Sequence, residues 1–163
     1  MPSQQQTLEQ ERAARAWECI ADVKPKDFKG KYRTIATKLP AHITTSGLGQ
    51  TLAFLRAKST PKPGKPPSAE QLAHASAYNH LSGWVLLYMH RKQIQQDALE
   101  KWLIEKNYET DAQSAKQYKW KYLLEWLLVQ GSEVYRQATA EALAFLGWLK
   151  RFAEAELPEA EEV

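Results

Sequence analysis

The sequence predicts an all-α protein, a single-domain helical bundle of about six to seven helices, and three observations predict it. Apolar residues recur at the three-and-four spacing of an amphipathic helix along most of the chain, and no run keeps the two-residue period of a strand. Only seven glycines occur in 163 residues, and valine and isoleucine are little enriched, which argues against a β-rich fold. Hydrophobic residues at 44% against charged residues at 25% mark a chain that folds around a core, and its length permits this without disulfides or metals.

The first helix is expected over about residues 7–23. Ala13, Ala16, Trp17 and Ile20 share one face there, with Glu9, Arg12, Arg15 and Glu18 facing elsewhere. Pro25 and Gly30 bracket a lysine-rich loop that ends it. A second helix begins near Lys31, with Tyr32, Ile35, Ala36, Leu39 and Ile43 as its apolar stripe. Pro40 interrupts the pattern, so either the helix kinks or a new one starts with proline in its first turn. Thr44 to Gly47 read as a helix end and restart. Leu48, Leu52 and Leu55 then form a short third helix with Phe54 beside the stripe. Ser59 to Pro67, with four prolines and a glycine, reads as an exposed loop within the domain.

Ser68 and Gln71 have the spacing of a capping box and open a long helix toward His90, buried along Leu81, Trp84, Val85 and Tyr88. A helix from Gln95 to about Lys106 presents Leu99, Trp102 and Leu103, and Asn107 closes it. Asp111 or Ser114 opens the next, with Trp120, Leu123, Leu124 and Leu127 on one side and Tyr118, Tyr122 and Trp126 widening the apolar surface. Gly131 and Ser132 separate it from the last helix, whose period runs through Ala138, Ala142, Phe145, Leu149 and Phe152. The domain thus extends over residues 1–158, followed by a frayed acidic tail, residues 159–163. The tetrapeptide Leu-Ala-Phe-Leu at 52–55 and again at 143–146 reads as a coincidence of leucine-rich helices.

No motif has the spacing of a reactive site. Cys19 is the only cysteine and, among Ala16, Trp17 and Ile20, reads as a small buried hydrophobe; one unpaired thiol suits a reducing cytoplasm. Met1 to Gln6 is polar, unlike a signal peptide, and the apolar stretch Trp84 to Met89 is too short to span a bilayer. His74 and His80 are six apart and His80 and His90 ten apart, neither the four-residue spacing of paired zinc ligands on a helix; His42 stands alone. Gly47 and Gly49 lack the rest of a phosphate loop. Asp97, Glu100 and Glu105 read as a solvated face, and Glu141, in an apolar helix, as the partner of a basic side chain. The expectation is a protein without metal, cofactor or catalytic activity, whose six tryptophans serve the core and contacts with other subunits.

Charge is distributed unevenly. The net +3 conceals a segment, residues 24–65, with ten basic side chains against one acid, Asp27. Lysines and arginines flanking an apolar helical stripe leave the stripe free to pack while the cationic heads stay in water, a display suited to phosphates. Phe28 and Tyr32 lie nearby as candidates for stacking on a base, although the helical period places Tyr32 in the core.

Three blocks carry a family resemblance. The runs LEQERAARAW (8–17), KYRTIATKLPAHITTSGLGQTLAFLRAK (31–58) and YRQATAEALAFLGWLKRFAEA (135–155) together resemble the small subunit of the Cmr complex, the type III-B CRISPR effector. They make up nearly half of the chain; residues from about 59 to 130 are not aligned position by position, and roles there stay open. The resemblance implies an all-helical, non-catalytic, cytoplasmic subunit for antiviral defence. Its partners would be copies of itself, the backbone and large subunits, guide RNA and target RNA, and cleavage would belong to the backbone subunits. On charge and family together, the residues expected to face RNA are Lys31, Arg33, Lys38, Arg56, Lys58, Arg136, Lys150 and Arg151. Two other readings compete: an adaptor that touches only protein, and a small helical nuclease or modifying enzyme.

Overall fold

Thr7 opens the first helix by reciprocal capping. Its hydroxyl accepts the Gln10 N–H (3.2 Å), and the Gln10 side-chain oxygen accepts the Thr7 N–H (2.9 Å). The structure, a computed structural model, describes residues 6–92 and 96–160, with side chains for all of these but 92 and 96–98. Eight α-helices follow one another in these residues: α1 (Leu8–Val23), α2 (Lys29–Ser46), α3 (Leu48–Ser59), α4 (Ala69–Lys92), α5 (Gln96–Glu105), α6 (Ala112–Tyr118), α7 (Leu123–Leu128) and α8 (Ser132–Glu156). A 3-10 turn, Lys119–Lys121, links α6 to α7, and no strand occurs among the described residues. The Asp97 side chain, the helix start expected at Gln95 and tail residues 161–163 lie outside what is described.

Helices α4 and α8 form the middle of the bundle. They touch each other; α8 also packs on α1 and α2, and α4 on α2, α3 and α7. Their contact surfaces follow the expected stripes: Leu81, Trp84 and Val85 on α4 and Ala138, Ala142, Phe145 and Leu149 on α8 are buried, while Tyr88 and Phe152, expected on the same stripes, are only partly buried. The expected Ser68–Gln71 capping box forms, with bonds of 2.8 and 3.1 Å. Residues 60–67 are exposed and carry no helix. Helix α2 runs through Pro40, so no new helix starts there. The break comes at Gly47, whose φ of 90° and ψ of 160° lie in a region open essentially to glycine. Two residues on, the Gly49 N–H donates to the Tyr135 hydroxyl (2.7 Å), which ties the start of α3 to α8.

The structure departs from the sequence-based expectation in several places, among them Glu100, expected on a solvated face but half-buried against Lys119. The single helix expected after Asp111 is broken into α6, the turn and α7, which raises the count to eight. The Ser82 hydroxyl of α4 donates to the Trp120 carbonyl and accepts the Leu123 N–H (3.2 Å), taking backbone groups that a continuous helix would pair within itself. The turn also carries the Lys119 ammonium inward, fully buried, onto Glu100 at 3.0 Å.

Helix α1 is rotated from its expected orientation. Trp17 is 50% exposed and rests edge-on against Phe152, while Ala16, Cys19, Ile20 and Val23 are buried. Arg12, expected to face away, turns inward because the buried Glu141 of α8 needs a cation. The Arg12 Nε and Nη2 donate to its two oxygens at 2.7 and 2.6 Å, and the Trp84 Nε1 adds a third bond at 2.8 Å. Glu141 is thus the salt-bridge partner that its setting predicted.

Helix α2 starts at Lys29, slightly earlier than expected, so Gly30 lies in its first turn. The C-terminal segment is docked, not frayed, as far as Ala160. Leu157 is buried, Glu159 pairs with Arg33 at 3.4 Å, and a Cβ on Gly30 would stand 2.9 Å from the Ala160 Cα. Glycine at position 30 lets the two backbones meet.

Candidate nucleic-acid interface

Spacings of three, four and seven along α2 put Lys31, Ile35, Lys38 and His42 on one face. That face is one wall of a groove of about 550 Å³. Phe54 of α3 and His74 of α4 form the other wall, and Ala160 stands at one end. Ile35, Leu39 and the Phe54 ring give the groove an apolar lining, and Glu70 is its acidic member. Lys31 and Lys38 are exposed, and neither meets a carboxylate among the described residues. The Lys58 ammonium lies over the Phe54 ring, 5.9 Å from its centroid, which adds a third cation at the rim.

The eight residues expected to face RNA do not form one surface. Lys31 and Lys38 line this groove, and Lys58 stands over the Phe54 ring beside it. Arg33, beside them on α2, is half-buried and held by Glu159. Arg56 belongs to a different depression, with Tyr78, Lys121 and Glu125. It donates to Glu125 (2.8 Å) and to the Tyr78 hydroxyl, and its guanidinium stands over the Tyr78 ring. Burial works against the charge of Arg56, but the bonds to Glu125 and Tyr78 outweigh it and hold its pKa above the ordinary value. Arg56 therefore clips α3, α4 and α7 together. Arg136, Lys150 and Arg151 lie on α8 away from the groove, without a carboxylate partner among the described residues. The fourteen residues from Arg136 to Lys150 place these two about 21 Å apart along the axis.

The aromatic residues expected near the basic segment are not available for stacking. Phe28 is buried, and Tyr32 is fully buried with its hydroxyl on the His80 Nδ1 (2.8 Å). Phe54, which the sequence reading left beside the α3 stripe, is the exposed ring instead, at 40%. Its signal lay in its register: Leu48, Leu52 and Leu55 carry the packing of α3, and Phe54 is the large apolar residue left over, two positions before Arg56 and four before Lys58. The His42 and His74 rings meet it edge-on, at 4.9 and 6.0 Å between centroids.

Among the described residues, no three His, Cys, Asp or Glu side chains are grouped as a metal site, and no helix is long and apolar enough to cross a membrane. Cys19 is buried, and burial pushes its thiol up to about 12.

The family model described as CRISPR-associated protein (Cas_Cmr5) matches residues 8–156. A crystal structure of a CRISPR-associated Cmr5 family protein from Thermus thermophilus is similar in fold, with a TM-score of 0.57 and 24% identity over 94% of this chain and all of that one.

Proposed function

Because the chain belongs to the CRISPR-associated Cmr5 family, the small subunits of the Cmr (type III-B) effector complex, we propose that it is a non-catalytic scaffold lining the channel in which guide and target RNA pair. In this reading it works in the cytoplasm, stacks in several copies beside the backbone filament and turns the α2–α3 groove toward RNA. The observation that carries the reading is that Lys31 and Lys38 on α2 and Lys58 on α3 flank one groove, and none of the three forms an ion pair with a carboxylate among the described residues. A cation already paired with an acid gains little from a phosphate. An unpaired one releases the counterions of the RNA, and three such contacts on a single strand give a salt dependence of roughly two powers of concentration.

Replacing Lys31, Lys38 and Lys58 together by glutamate in the reconstituted complex tests this. RNA affinity should fall at low salt and its salt slope should flatten by about two. Undiminished RNA capture with an unchanged slope would defeat the reading. Purified protein incubated with labelled RNA and divalent metal should leave the RNA intact.

One observation favours a second role, contact with protein alone. Trp17, half exposed, packs with Phe152, and Phe152 with Trp148, in an aromatic patch on α1 and α8. If adaptor contacts are all the subunit contributes, Trp17→Ala will weaken assembly and the lysine reversal will leave RNA binding untouched.

A further inference from the structure

We infer that the groove between α2, α3 and α4 is a nucleobase site, in which one unpaired base of a single-stranded RNA stacks on the Phe54 ring while its neighbouring phosphates sit on Lys31, Lys38 and Lys58. This rests on the RNA-channel reading and adds to it, since channel lining requires only sequence-independent phosphate contacts.

Four features carry the inference. The Phe54 ring is exposed yet held: imidazoles of His42 and His74 meet it at 73° and 72°, which fixes the plane that a base would stack against. Its exposure is not a packing accident, because Leu48, Leu52 and Leu55 already fill the inner face of α3. The groove, about 550 Å³, has the size of a small-ligand site. Its cations are suitably spaced, with Lys31 and Lys38 seven residues apart on α2, about 10 Å along the axis, so their flexible stems reach neighbouring phosphates on one strand.

Charge argues against a peptide as the occupant. Lysine is depleted from protein–protein interfaces, and a groove walled by lysines around an aromatic ring matches the platforms of single-stranded nucleic-acid proteins. Glu70, unsuited to a phosphate, is an acceptor for an exocyclic amino group on a base. The Lys58 ammonium, at the outer range of a cation–π contact, sits on a mobile stem that can leave the ring for a phosphate when a base arrives.

The test titrates single-stranded RNA containing 2-aminopurine into the full chain and into the Cmr complex built with it. Wild type should quench the probe on stacking. Phe54→Ala should bind about tenfold more weakly and lose the quenching. Phe54→Leu, which keeps apolar bulk without a ring, should behave like Phe54→Ala, and Phe54→Trp should restore both signals. Binding of fully duplexed RNA should be indifferent to all three. Wild-type quenching and affinity in Phe54→Ala and Phe54→Leu, or no quenching by wild type in either preparation, overturns the base site. If Lys31→Glu with Lys38→Glu still weakens binding in that case, the channel reading survives. If that variant also binds normally, both fall.

Discussion

Truncating Glu141 to alanine should be among the most damaging changes in this fold, although the residue lies far from the basic groove. Its side chain is 2% exposed and that of Arg12 15%. The substitution removes both oxygens that accept from Arg12 and also the acceptor of the Trp84 indole N–H. Removing one partner of a buried ion pair costs about 3–5 kcal/mol, because the other charge stays behind. Arg12 keeps Glu9 at 2.6 Å and some contact with water, which points to the lower end, about 3 kcal/mol. For a domain of this size that corresponds to a fall in Tm of roughly 6–12 °C. Urea unfolding followed by circular dichroism measures it directly, as a lower midpoint at unchanged slope. Glu141→Gln should fall between, since an amide oxygen can still accept one of these bonds. Replacing Arg12 and Glu141 together by leucine should cost less than the two single changes added. A loss below about 1 kcal/mol for Glu141→Ala, or strict additivity in the double variant, would refute the argument that a buried charge is being stranded.

Three more outcomes follow from the geometry. Burial holds the pKa of His80 below the ordinary value despite the opposing pull of Asp22, so the unfolded chain takes up a proton near pH 6.5 that the fold resists. Stability should therefore decline as pH drops below about 6.5, and melts at pH 7.5 and 5.5 should differ less in His80→Asn than in wild type. Gly47→Ala forces a Cβ into a conformation with φ of 90° and should cost about 1–3 kcal/mol; an unchanged Tm would mean that the α2–α3 junction relaxes freely. With its thiol pushed up to about 12, Cys19 should react with a disulfide reagent at pH 8 only as fast as the protein unfolds, and rapid modification of native protein would contradict its burial.

Much of the bundle was legible in the chain because helices are local. The Ser68–Gln71 cap, the Gly47 restart, the proline-rich loop and most of the stripes on α2, α4 and α8 depend on nearby residues and form as read, Ile35, Tyr88 and Phe152 being only partly buried. The same holds for Glu141: an acid amid buried alanines and leucines must find a cation, although nothing local names which one.

What sequence alone could not supply were the choices made across elements. Arg12 is 129 positions from Glu141, and that pairing turns α1 so that Trp17 faces out. Ser82 competes for backbone groups 38 and 41 residues away and breaks a helix that periodicity would have continued. The basic segment shows the same division. Composition announced a concentration of cations, but only packing separated Arg56, held by Glu125, and Arg33, held by Glu159, from the three lysines around Phe54 that meet no carboxylate among the described residues. Periodicity reports which face of a helix is apolar; it carries no information about which distant side chain will satisfy a buried polar group, and that requirement rotated, broke and neutralised what local patterns had laid out.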